Sequence, residues 1–115
     1  MFDFQKLSVY QKTKDFNKEI SALTESKNFE ATARDQLRRA SLNIMLNIAE
    51  GFSRFSNNDR KHFMVISRGN AFECVAILDY LKDNKKIDEF TYLDFFQKLE
   101  EISKMLSALI KKLES

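Results

Sequence analysis

Apolar residues recur along the chain at the three- and four-residue spacing of an α-helix, in stretches separated by short polar breaks. Val9, Thr13, Phe16, Ile20 and Leu23 form one stripe and predict a first helix over about 7–25. Ser26-Lys27-Asn28-Phe29 breaks the pattern and reads as a loop. A second helix is predicted over 31–54, with one stripe of Ala33, Leu37, Ala40, Ile44 and Ile48 and another of Leu42, Met45, Ala49 and Phe52. A third, over 57–83, is centred on Phe63, Ser67, Asn70, Cys74, Ile77 and Leu81 and widened by Met64, Ala71 and Leu78. Ser56 is placed to cap it, and Asp59, three residues on, completes a capping-box pattern. Asp88 is placed to cap a fourth helix over 89–112, whose seam of Tyr92, Phe95, Leu99, Ile102, Leu106, Leu109 and Leu113 follows a strict heptad. Short loops force sequential helices to run antiparallel, so the expected fold is all-α. It is a single domain over 1–115, an up-down-up-down four-helix bundle.

The second helix carries more apolar surface than such a bundle asks for. Between Ala40 and Ala49 the apolar arc covers roughly two thirds of the circumference, where an outer helix needs about 100°. Either this helix is sunk in its own bundle or its outer face meets another copy. The second alternative names Leu42, Met45, Leu46, Ala49 and Phe52 as interface, with Phe72 of the third helix, which like Val65 lies off the core stripe. The remaining strip of the second helix, Gln36, Arg39, Asn43, Asn47, Glu50 and Arg54, is a solvated face or a recognition surface. Asn70, in the middle of an apolar stripe, needs a buried partner and could fix register.

Composition narrows the classes. Proline is absent and glycine occurs twice in 115 residues, which argues against turn-rich β architectures and glycine-rich phosphate loops. The one histidine, His62, and the one cysteine, Cys74, cannot make a di-iron or cysteine-rich zinc site. His62 reads as a surface residue and Cys74 as a small buried apolar group. No nucleophile, base and orienting group converge, so the chain is read as non-enzymatic, with no catalytic, cofactor or metal site. Glu50, Asn47 and Arg54 are the polar cluster to suspect if an active site forms between subunits. The longest uncharged run, Ala40 to Ala49, is far too short to span a bilayer, and the opening MFDFQKL lacks a signal-peptide pattern. The expectation is a cytoplasmic protein with no membrane partner.

The formal net charge is only +2, but its placement is uneven. All arginines fall between positions 34 and 68. Arg34, Arg38, Arg39, Arg54, Arg60 and Arg68, with Lys61, are the candidate contacts for an anionic partner, RNA or a ribonucleoprotein. The competing reading gives the arginines to ion pairs with Glu50, Asp59 and Glu73, within or between subunits, and makes the protein an interaction scaffold without a nucleic-acid role.

Three stretches carry a family resemblance. Leu7-Ser8-Val9-Tyr10-Gln11-Lys12 resembles an opening written Leu-x-Val-Trp-Gln-Lys. Gln36-Leu37-Arg38-Arg39-Ala40 through Asn47-Ile48-Ala49-Glu50-Gly51-Phe52-Ser53-Arg54 resembles Gln-Ile-Arg-Arg-Ala, then Ser-Asn-Ile-Ala-Glu-Gly, then an arginine. Phe63-x-x-Ile66-Ser67-x-Gly69-Asn70-x-x-Glu73 resembles Phe-Leu-x-Ile-Ala-x-Gly-Ser-x-x-Glu. In order and spacing these resemble the four-helix-bundle proteins encoded in intervening sequences of bacterial 23S ribosomal RNA genes. More distantly the chain is similar to the accessory protein of diversity-generating retroelements. The resemblance implies a bundle assembled into a ring, commonly a homopentamer. Ile44-Met45-Leu46 stands where the family often has Ile-Pro-Ser, which leaves the second helix without a proline kink.

Overall fold

The computed structural model describes residues 1–114; Ser115, the last residue of the expected domain, lies outside them. A short 3₁₀ turn over Asp3–Lys6 leads into α1 (Ser8–Ser26), α2 (Ala31–Phe52), α3 (Asn57–Asp83) and α4 (Glu89–Glu114), with no strand among the described residues. Each helix forms where its apolar period puts a continuous face on one side. The ends are set by local chemistry. Leu7 is extended and starts α1 one residue late. The Asp59 backbone N–H donates to Ser56 Oγ at 3.1 Å, and the Thr91 N–H donates to Asp88 Oδ1 at 2.7 Å, so both anticipated caps are made. α2 stops at Phe52, two residues short of the predicted end, where Ser53 folds back and its Oγ donates to the Glu50 carbonyl at 2.6 Å.

Side-chain contacts tie neighbouring helices together. Thr24 meets Arg38 and Asn17 meets Ser41 between α1 and α2; Ser67 meets Ile44 between α3 and α2. Lys82 lies over the Tyr92 ring at 4.2 Å, and Lys61 reaches Glu114, between α3 and α4. α3 packs between α2 and α4, which make no close backbone contact with each other. The core runs through Phe16, Ile20, Leu37, Ile44, Ile48, Met64, Leu78, Leu99, Ile102 and Leu106, all fully buried. Phe16 and Phe95 meet edge to face at 5.8 Å. Truncating any of these aliphatic side chains to alanine costs about 2–5 kcal/mol, because the hole closes only partly.

The stripes read on α1 and on the inner side of α2 are the buried ones, and so is most of the α4 seam, with Leu109 and Leu113 half-buried near the end. α3 differs. Its buried line is Met64, Ser67, Ala71, Cys74, Leu78 and Leu81, while Phe63, Asn70 and Ile77 sit half-buried on its edge. Both flanks of that helix are apolar, so period alone could not centre the arc. Asn70 therefore has no register role in the core. That role falls to Ser67, whose Oγ donates to the Ile44 carbonyl at 2.7 Å in the dry seam between α2 and α3. Gly51 makes the same seam tight: a Cβ there would run into the Met64 side chain and stand 3.0 Å from Phe63 Cβ.

Candidate interaction surfaces

The outer face of α2 is uncovered by the bundle. Leu42 and Leu46 are 41% and 49% exposed, on the side of α2 away from Ile44 and Ile48. That removes the alternative in which these two side chains are sunk in their own bundle. Met45, Ala49 and Phe52 are half-buried, and Ala49 and Phe52 line a cleft of about 520 Å³ shared with the N-terminal Phe2 and Phe4. Phe72 and Val65 are exposed on α3. Phe72 lines a different hollow, about 430 Å³ between α3 and α4, walled by Ala71, Val75, Phe96 and Leu99 with Asp79, Glu100 and Lys104 at its rim. Because α3 lies between α2 and α4, the sequence-predicted interface divides into two surfaces, one on α2 and one on the α4 side of α3.

The arginines divide as well. Arg34 and Arg38 lie near the start of α2, and Arg54 just beyond its end, about 24–30 Å away along the axis. Arg34 Nε pairs with Asp35 Oδ1 at 3.1 Å, and Arg38 Nε donates to Thr24 Oγ1 at 2.7 Å. Arg39 is exposed and has no ion-pair partner among the described residues. At the other end stand Arg54, Arg60 and Lys61, the first two joined by a hydrogen bond. Arg54 pairs with Glu50 at 2.6 Å and lies over the Phe63 ring at 4.8 Å. Arg60 Nε donates to the Arg54 carbonyl at 2.8 Å, with its guanidinium 5.4 Å from the Phe52 ring. Lys61 reaches Glu114 at 3.6 Å. Arg68 stands apart, 4.6 Å over the Phe72 ring, its buried Nε without a hydrogen-bond partner among the described residues. Of the acids expected to take arginines, Glu50 does so.

Sequence reasoning passed over Phe55. It belongs to no stripe and sits in the turn between α2 and α3, fully exposed beside Arg54. Its very exclusion from every stripe was the available signal.

Asn47 Nδ2 donates to the Asn43 carbonyl, and Glu50 in the last turn of α2 pairs with Arg54 just beyond it. Among the described residues no group of His, Cys, Asp and Glu could hold a metal ion, and no helix is long and apolar enough to cross a membrane. His62 is exposed, edge-on to Phe63 at 5.5 Å. Burial, with the Glu73 carboxylate adding to it, pushes the Cys74 thiol up to about 12, so it stays protonated and inert at neutral pH. Tyr92, hydrogen-bonded to Asp79, is likewise raised to about 12. Tyr80 donates to Glu30 at 2.6 Å across the outer side of α2 and α3, which raises its pKa.

Comparison with known proteins bears on this geometry. The family model described as 23S rRNA-intervening sequence protein matches residues 5–108. A crystal structure of a protein of unknown function from the S23 ribosomal protein family of Bacteroides thetaiotaomicron superposes with a TM-score of 0.85 at 25% identity. The match covers 90% of this chain and 98% of that one. No curated protein matches the chain.

Proposed function

The chain belongs to the family of 23S rRNA-intervening sequence proteins, and on that premise we propose that it is a non-enzymatic, antiparallel up-down-up-down bundle working as a ring-shaped homo-oligomer in the cytoplasm. One observation carries this reading: a single chain exposes two separate apolar surfaces, Leu42 and Leu46 on α2 and Val65 and Phe72 on α3. Contact between like surfaces covers only one of them. Contact of one surface with the other on the next copy covers both, and when the rotation closes it makes a ring. The resemblance favours five copies. The buried free thiol of Cys74 fits a reducing compartment.

Native mass by light scattering tests it. Leu46→Glu and Phe72→Glu, each alone, should bring the assembly down toward the 13.5 kDa chain with helicity unchanged. A wild-type protein that is monomeric at micromolar concentration, or an assembly that survives either substitution, overturns it.

A second reading, in which the oligomer contacts RNA or a ribonucleoprotein, is favoured by the cluster of Arg54, Arg60 and Lys61 at one end of the bundle. If the arginines serve only the fold, the protein is a scaffold for other proteins, and binding to structured ribosomal RNA is absent even at low salt.

A further inference from the structure

Phe55 has no packing role. It is fully exposed in the short turn between α2 and α3, yet the cations beside it are held firmly. The guanidinium groups of Arg54 and Arg60 lie over the Phe63 and Phe52 rings, and Arg60 is tied to the Arg54 carbonyl. A guanidinium carries five N–H donors, and each of these groups spends only part of that set inside the protein. Lys61, in the same first turn of α3, adds a third cation.

We propose that this end of the bundle binds a single-stranded nucleic acid, with an unpaired base stacked on Phe55 and the adjoining phosphates on Arg54, Arg60 and Lys61. The inference rests on the RNA-contact reading above and names its site and ligand class. The facing acids decide the balance of forces. Glu50, Asp59 and Glu114 stand among the three cations, so the local charge is nearly neutral. Phosphate attraction alone is therefore weak, and stacking has to supply much of the affinity. Stacking needs an open base face, which a duplex withholds. A lipid surface fits less well. The Phe55 ring stands in a tight turn between two helices and by itself offers little area to bury among acyl chains.

The chain has no tryptophan, which makes Phe55→Trp a clean reporter. Binding of a mixed-sequence RNA dodecamer, of its duplex and of phosphatidylserine vesicles would be followed by anisotropy and by tryptophan emission. The single strand should bind more tightly than the duplex. The log–log salt slope should be about −2, as expected for roughly three phosphates on a single strand. Phe55→Ala should weaken binding about tenfold with native mass and helicity unchanged. Phe55→Trp should retain binding, with emission quenched by the strand. Wild-type binding that Phe55→Ala leaves intact, with no quenching, overturns this site but spares the RNA-contact reading. No binding by the wild type overturns both. Equal affinity for the duplex, or preference for the vesicles, also overturns the stacking site.

Discussion

The two turns flanking α3 are written alike and fold differently. Arg54-Phe55-Ser56 and Lys86-Ile87-Asp88 are each a cation, an apolar residue and a helix cap. Ile87 is 5% exposed; Phe55 is wholly out. The difference lies four residues into each following helix. An apolar residue just before a cap packs against the fourth helical position when that position is apolar. After Asp88 that position is Tyr92, buried; after Ser56 it is Arg60, half-buried with its guanidinium over Phe52. One turn spends its apolar side chain on folding and the other leaves it in water. The folding turn also accepts backbone strain. Lys85 sits at φ 60°, and the Lys86 N–H donates to the Leu81 carbonyl at 2.8 Å to close α3.

Truncation should expose the contrast most sharply. Ile87→Ala is expected to cost about 2–4 kcal/mol, as for a buried aliphatic. Phe55→Ala should stay within about 0.5 kcal/mol of wild type. Urea titration of both checks this, and a comparable loss from Phe55→Ala would mean that its ring is packed after all. Next in size are the two glycines on either side of the Phe55 turn. Gly51→Ala drives a Cβ into the Met64 side chain and against Phe63 and should destabilise by about 1–2 kcal/mol. At Gly69, where a Cβ meets nothing within 4 Å, alanine should stabilise by up to about 1 kcal/mol through helix propensity. Opposite melting shifts would bear this out; shifts of the same sign would not.

The smallest effect separates the caps by pH. Hydrogen bonds from Thr91, side chain first and backbone second, hold the Asp88 carboxyl below its ordinary 3.8. A folded value lower than the unfolded one means the cap's contribution is complete above the ordinary value and is lost as pH falls through the lowered one. Ser56 does not titrate. The protection factor of the Thr91 amide, its exchange corrected for the intrinsic slowing in acid, should therefore fall on acidification before that of Asp59, and Asp88→Asn should abolish the difference. Loss of protection at both amides together would count against it.

Much of the fold was legible because α1 and α4 each have one apolar side and no rival. α3 was misjudged where both its flanks are apolar, since period measures the width of an arc and not which neighbour lies against it. The surplus apolar width of α2 is legible in its spacing and shows as the exposure of Leu42 and Leu46, but their separation from Phe72 depends on α3 standing between α2 and α4, which no spacing along one chain records. The spread of the arginine window is hidden in the same way. Residues 34 and 54 are close in a list and lie at opposite ends of a long helix. Phe55 was overlooked because a search for stripes discards whatever lies between them.

The lone thiol offers a clock. Cys74 has no exposed surface and sits in mid-α3, so an alkylating reagent reaches it only when that helix leaves its neighbours. Its labelling rate under native conditions counts those openings one molecule at a time. Compared between dilute and concentrated protein, the same rate measures how far neighbouring copies hold each bundle shut.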